Sequence, residues 1–260
     1  MTVDQLIVES LKRVVRLKNE NDELNKANLK DLQTRLIYPR YGIHRNHEIR
    51  ISEQEIKQIF IEILNETRLN HCFLYSVEAP TEKKYVFGND QECANCPFGH
   101  PPNPGGACTL AVINNNAEGG VSARTDVCLY ENIKNNIIRK MLIEFKYSNG
   151  VNRNFCKDLF KLAHELNNNN ESYFVLILDT FRDVTKNSIF GGGEKYGKLR
   201  KSLNLIRNIL NNGNIKVYIL ILENHVNKNR ENLPTIGYYR FELGGELDIV
   251  YNNIPYVEIN

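Results

Sequence analysis

No run of roughly 18 apolar residues occurs in this 260-residue chain, so no segment reads as a membrane span. The opening residues, Met1-Thr2-Val3-Asp4-Gln5, lack the basic flank and apolar core of a secretory signal, and a cytoplasmic location is expected. Strong charge is missing as well. A net charge of +2 is too small for composition alone to imply nucleic-acid binding, so any such surface must be a local patch. There is no long Pro/Ser/Gly tract, no internal repeat and no clear linker. Cysteine is sparse: of the six, only Cys93, Cys96 and Cys108 are grouped as if they shared a task, and the number suits a reducing compartment. What remains is a globular composition, 42% hydrophobic and 25% charged, long enough for one large domain or a core with additions.

Periodicity orders the chain. Leu6, Ile7, Leu11, Val14 and Val15 recur at helical spacing, so residues 1–35 read as helical, and Tyr38-Pro39-Arg40-Tyr41-Gly42 breaks the pattern. Residues 1–50 are therefore expected to form an N-terminal helical arm. Ser52 followed by Glu55 is a capping box that opens a helix whose apolar face is Ile56, Ile59, Phe60, Ile63 and Leu64. Residues 71–78 suggest a strand. Residues 79–119 form an insertion rich in Cys, Pro, Gly and Asn. Two strands follow at about 120–130 and 138–147, joined by the polar, turn-like 131–136. A helix at 153–167 carries Phe155, Leu159, Leu162, Ala163 and Leu166 on one side. Tyr173 to Leu178 is continuously apolar, as in a central strand buried on both faces. A basic helix at 194–211, a buried strand at 215–223 and an aromatic-rich strand pair at 236–258 complete the reading. The expected class is α/β: residues 51–260 form a domain with a central mixed sheet flanked by helices.

The residues with the clearest chemical content are Asp126 on the first strand of the pair, and Glu144 and Lys146 on the second. Side chains two apart on a strand share a face, so Glu144 and Lys146 point together while Phe145 points away. If the strands pair as a hairpin, Asp126 lies beside Glu144. Two hard oxygen donors and an ammonium would then meet at the end of a buried sheet, a combination able to bind Mg2+ and position a water. The bland alternative is an exposed Glu-x-Lys ion pair worth under about 1 kcal/mol.

The order helix, strand, long insertion, strand with Asp126, strand with Glu144-x-Lys146, helix and buried strand resembles the PD-(D/E)XK nuclease superfamily. The resemblance covers about residues 52–180. It implies a restriction-endonuclease-like core and a nuclease that hydrolyses DNA phosphodiester bonds with Mg2+ or Mn2+. Asp126 and Glu144 would be metal ligands, the Phe145 carbonyl a third, and Lys146 would sit beside the attacking water. Thr125 precedes Asp126 where the motif has Pro, and no Gln-x-x-x-Tyr follows on the next helix, where Lys157 stands instead. Many members add a Glu from the first helix. Glu62 is the choice there, since Glu55 is explained by the cap, and Glu78 is a further acid. Cutting both strands usually takes two sites, so a homodimer or a partner protein is also expected. The competing expectation is a catalytically inactive nuclease-like module that binds nucleic acid or protein.

Three further constellations stand outside that core. Cys93-x-x-Cys96-x-x-x-His100 with Cys108 supplies four candidate ligands for a structural Zn2+ on a loop shaped by Pro101, Pro102 and Pro104. Unrelated reduced thiols are the plain alternative. Gly192-x-x-x-x-Gly197-Lys198 imitates a phosphate loop, but Leu199 replaces the hydroxyl that would bind Mg2+. It reads better as a hinge opening a basic helix, whose Lys195, Lys198, Arg200, Lys201 and Arg207 are candidates for DNA phosphates or simply a solvated face. His164-Glu165 lacks the second His of a zinc protease and reads as helix surface.

Overall fold

The computed structural model describes residues 1–22, 36, 38, 51–87, 109–113, 121–148, 155–178, 206, 210, 213–222, 236–243 and 256–259. They fall into two compact units, Met1–Leu74 and Tyr75–Asn260.

The first unit holds helix α1 (Val3–Asp22), helix α2 (Glu53–Glu66) and a 3-10 turn at Arg68–His71. Leu6, Ile7, Leu11 and Val14 of α1 are fully buried, as are Ile59, Phe60 and Leu64 of α2, which is the outcome the helical spacing dictates. The expected capping box is present. The Ser52 N–H donates to the Glu55 carboxylate at 2.6 Å, satisfying a donor at the helix start. Arg13 and Glu66 join the two helices by paired bonds of 2.9 and 2.7 Å.

The second unit is a single mixed sheet. Among the described residues it has eight strands in the order β2-β1-β3-β4-β5-β6-β7-β8. They are β1 (Leu74–Phe87), β2 (Thr109–Ile113), β3 (Val121–Ile133), β4 (Asn136–Ser148), β5 (Glu171–Leu178), β6 (Ile215–Ile221), β7 (Gly237–Leu243) and β8 (Tyr256–Glu258). Helix α3 (Phe155–Glu165) carries the chain from β4 to β5, which run parallel; a parallel pair needs a crossover of this length. β5 and β6 are also parallel, whereas β3 and β4, β6 and β7, and β7 and β8 are antiparallel. The α/β class with a mixed sheet is therefore as expected. At Gly237 a Cβ would collide with the Val257 carbonyl, so β7 and β8 approach closely only because no side chain stands there.

The first strand differs from its expectation. It does not stop at Glu78 but continues through Ala79-Pro80 to Phe87, and β2 pairs with its far end. Part of the 79–119 segment is thus sheet rather than loop. Glu78 takes a φ of 53°, so the strand passes Pro80 by way of a local irregularity that periodicity does not register. Between β3 and β4 the turn is shorter than expected, with Lys134 and Asn135 at φ of 51° and 66°. Two consecutive positive φ values are what a two-residue hairpin turn requires.

One face of the sheet packs beneath α3. Cys128, Leu142, Phe174, Leu176, Val217 and Ile219 meet Leu159, Leu162 and Ala163 of the helix in the main apolar cluster. The strand residues between them, Val127, Ile143, Phe145, Val175, Ile177 and Leu220, point to the opposite face and are equally buried. This two-sided burial explains the apolar runs at residues 173–178 of β5 and 217–221 of β6.

A register shift between Leu129 and Tyr130 decides which polar groups reach α3. Leu129 pairs with Met141 but Tyr130 pairs with Arg139, leaving Lys140 as the extra residue of a bulge. The bulge turns Arg139 onto the face of Glu144. Without it, alternation would put Arg139 with Met141 and Ile143 on the far side.

Candidate site beneath helix α3

Asp126 and Glu144 are brought together by the β3–β4 pairing. Val127 lies opposite Ile143, and one step further the Asp126 Oδ2 accepts the Phe145 N–H at 2.8 Å. Alternation places Glu144 and Lys146 on the same side as Asp126, facing α3. The site thus assembles on a hairpin whose register is set by burial. A slip of β4 by one residue would turn Glu144 and Lys146 onto the opposite face, away from Asp126.

Glu144 is 2% exposed and meets Lys161 of α3, whose Nζ is 2.8 Å from Oε1. The contact is a buried ion pair, with side-chain exposures of 7 and 3% for Lys161 and Glu144. Burial pushes the Glu144 carboxyl well above the ordinary carboxylate range, and the negative charges of Asp158 and Asp126 push the same way while Lys161 opposes them. Burial lowers the Lys161 ammonium, but Glu144 and Asp158 more than offset this and hold it above the usual lysine value. Lys161 also donates to the Arg124 carbonyl at 2.5 Å and pairs with Asp158 Oδ1 at 3.0 Å.

The second oxygen of Asp158 pairs with Lys146 at 3.0 Å. The chain of contacts therefore runs Glu144, Lys161, Asp158, Lys146. The Glu144-x-Lys146 pair is neither exposed nor joined to itself, so the expectation of a solvated ion pair fails here.

Asp158 and Lys161 were not recognised from the sequence. Their signal was present: Asp158, Lys161 and Glu165 stand at i, i+3 and i+7, a second stripe alongside Leu159, Leu162 and Ala163. All three are buried, at 7, 5 and 3% exposure. Charged residues adjoining the apolar stripe of a core helix are candidates for a polar network.

Glu165 corrects the reading of His164-Glu165 as helix surface. Its carboxylate takes the backbone N–H groups of Glu82 and Lys83 at 2.8 and 2.9 Å, the Tyr85 hydroxyl at 3.0 Å and Arg139 at 2.6 Å. With its acceptor sites this well filled, it ties β1, β4 and α3 together as a structural centre.

The other residues singled out from the sequence are not brought to this place by anything described. Glu62 lies on α2 in the first unit, where it accepts a bond from Gln58 at 3.2 Å. Cys93, Cys96, His100 and Cys108 lie outside the described residues, as do Lys195, Lys198, Arg200, Lys201 and Arg207. Among the described residues no group of three or more His, Cys, Asp or Glu side chains is arranged to hold a metal ion. The oxygen set at the hairpin still suits Mg2+, which binds through one or two carboxylates and completes its shell with water and phosphate. Glu144 Oε1, buried and already faced by the Lys161 ammonium, is an oxygen placed to meet a cation. Among the described residues no helix is long and apolar enough to cross a membrane.

No protein-family model, curated protein or solved structure matches this chain.

Proposed function

We propose that this chain is a metal-dependent nuclease of PD-(D/E)XK type, hydrolysing DNA phosphodiester bonds in restriction, defence or repair. The observation that carries this reading is the bond from the Phe145 N–H to Asp126, which sets Asp126 beside Glu144 and on the face of Lys146. The strand–strand–helix–parallel-strand order of β3, β4, α3 and β5 supports it, since it is the order expected of a restriction-endonuclease-like core.

Asp126 and Glu144 are the residues that would hold Mg2+ or Mn2+. When bound, the metal supplies a water of lowered pKa and offsets charge developing on phosphorus. Lys146, anchored by Asp158, is positioned to orient that water or to hold charge on the scissile phosphate. The anchoring limits its rotamers, as a positioning role requires.

The test is cleavage of plasmid and single-stranded DNA with Mg2+ or Mn2+ by the wild type, Asp126→Ala and Lys146→Ala. Loss in both variants is expected. Undiminished cleavage by both would remove this site from consideration.

A second reading draws on the ion chain itself. Glu144, Lys161, Asp158 and Lys146 already compensate one another, as they would in an inactive nuclease-like module binding nucleic acid or a protein partner. DNA binding without cleavage by any of the proteins would favour it.

A further inference from the structure

We propose that Lys161 is an internal cation that competes with a divalent metal ion for Glu144, so that metal loading requires its ammonium to withdraw. The inference rests on the metal-dependent reading of the site. Lys161 Nζ stands 2.8 Å from Glu144 Oε1, on the carboxylate that with Asp126 would hold the ion. Two cations cannot share one buried carboxylate oxygen at that range without strong repulsion.

The surroundings make the exchange feasible. The Glu144 contact is one of three that the Lys161 ammonium makes, so one cation can replace another at Oε1 without stripping Lys161 of oxygen partners. Lys161 keeps two further oxygen partners, Asp158 Oδ1 at 3.0 Å and the Arg124 carbonyl at 2.5 Å. They hold the released ammonium by rotation of a flexible side chain, with no movement of α3 required. Counted as ionised, Asp126, Glu144 and Asp158 carry three negative charges against two positive ones on Lys146 and Lys161. With the metal absent, Lys161 offsets charge the metal would otherwise offset. It thereby raises the metal concentration at which the site fills.

The experiment is titration of the full chain with Mn2+, followed by electron paramagnetic resonance of the free ion, for wild type, Lys161→Gln, Asp126→Asn and Glu144→Gln. The proposal expects Lys161→Gln to bind Mn2+ about tenfold more tightly, within the usual range of coupling between two binding events. Affinity equal to or weaker than wild type overturns it. A second measurement uses only the wild type: the 15N resonance of the Lys161 ammonium, followed as diamagnetic Mg2+ is added, shifts as its contact with Glu144 is lost. An unmoved resonance on the metal-bound protein also overturns it. Failure of the underlying reading looks different. There, Asp126→Asn and Glu144→Gln leave Mn2+ binding unaltered, or neither wild type nor Lys161→Gln binds Mn2+, and the metal site falls together with the competition.

Discussion

Glu165 accepts a hydrogen bond from Arg139 at 2.6 Å, with side-chain exposures of only 0 and 6%. A carboxylate removed from water this completely is stable only because every donor around it is in place. Replacing Glu165 with Ala would leave the buried Arg139 with only the exposed Glu82 carboxylate at 3.1 Å, along with two backbone N–H groups lacking acceptors. We expect the sheet unit to lose about 3–5 kcal/mol, read from urea unfolding. Glu165→Gln, which keeps an acceptor oxygen, is expected to lose distinctly less. Equal losses would show that charge, not acceptor geometry, matters at this position.

Asp126 serves the backbone as well as the proposed chemistry, and the two roles separate by substitution. Asp126→Asn retains an oxygen for the Phe145 N–H, so its stability is expected to stay within about 1 kcal/mol of wild type. Its metal-dependent cleavage is expected to fall by about a hundredfold or more, since one ligand charge is gone. Parallel melting curves and cleavage rates check this. A large drop in melting temperature would mean that the charge of Asp126 holds the strand pairing.

His164 carries a pH dependence. Burial, and then the nearby positive charge of Lys83, lower its pKa below the ordinary 6.5. The unfolded chain therefore takes up the proton first as pH falls. Stability from neutral His164 is present above about 6.5 and declines as pH drops from there toward the lower folded value. His164→Gln is expected to flatten this component. The comparison is unfolding free energy of wild type and variant at neutral and mildly acidic pH, and an unchanged difference between them would contradict the assignment.

Lys134 holds a φ of 51° at the first position of the β3–β4 turn. A lysine gains nothing local from that conformation, whereas asparagine tolerates it. Lys134→Asn is expected to stabilise the hairpin by roughly 0.5 kcal/mol, measured as a raised denaturation midpoint. A destabilised variant would mean that the Lys134 side chain makes a contact worth more than the strain.

Much of this architecture was legible because burial enforces local patterns. The period of three to four apolar residues predicts α1, α2 and α3, and the continuous apolar runs at residues 173–178 and 217–222 predict strands covered on both faces. Glu78 and the Leu129/Tyr130 bulge were not legible. A single residue that leaves the regular register alters no average over a window, yet it redirects Pro80 and Arg139.

Alternation along β4 is local chemistry, so the sequence by itself determined that Glu144 and Lys146 share a face and that Phe145 opposes them. It also determined that Asp126 could join them if two strands paired. Only the tertiary structure decided which charges those three would meet. Asp158 and Lys161 reach the strands because α3 crosses over β4 and β5, a contact that no spacing within the helix encodes. An ion pair between distant segments depends on the packing distance of helix and sheet, which arises from the whole core and from no segment alone.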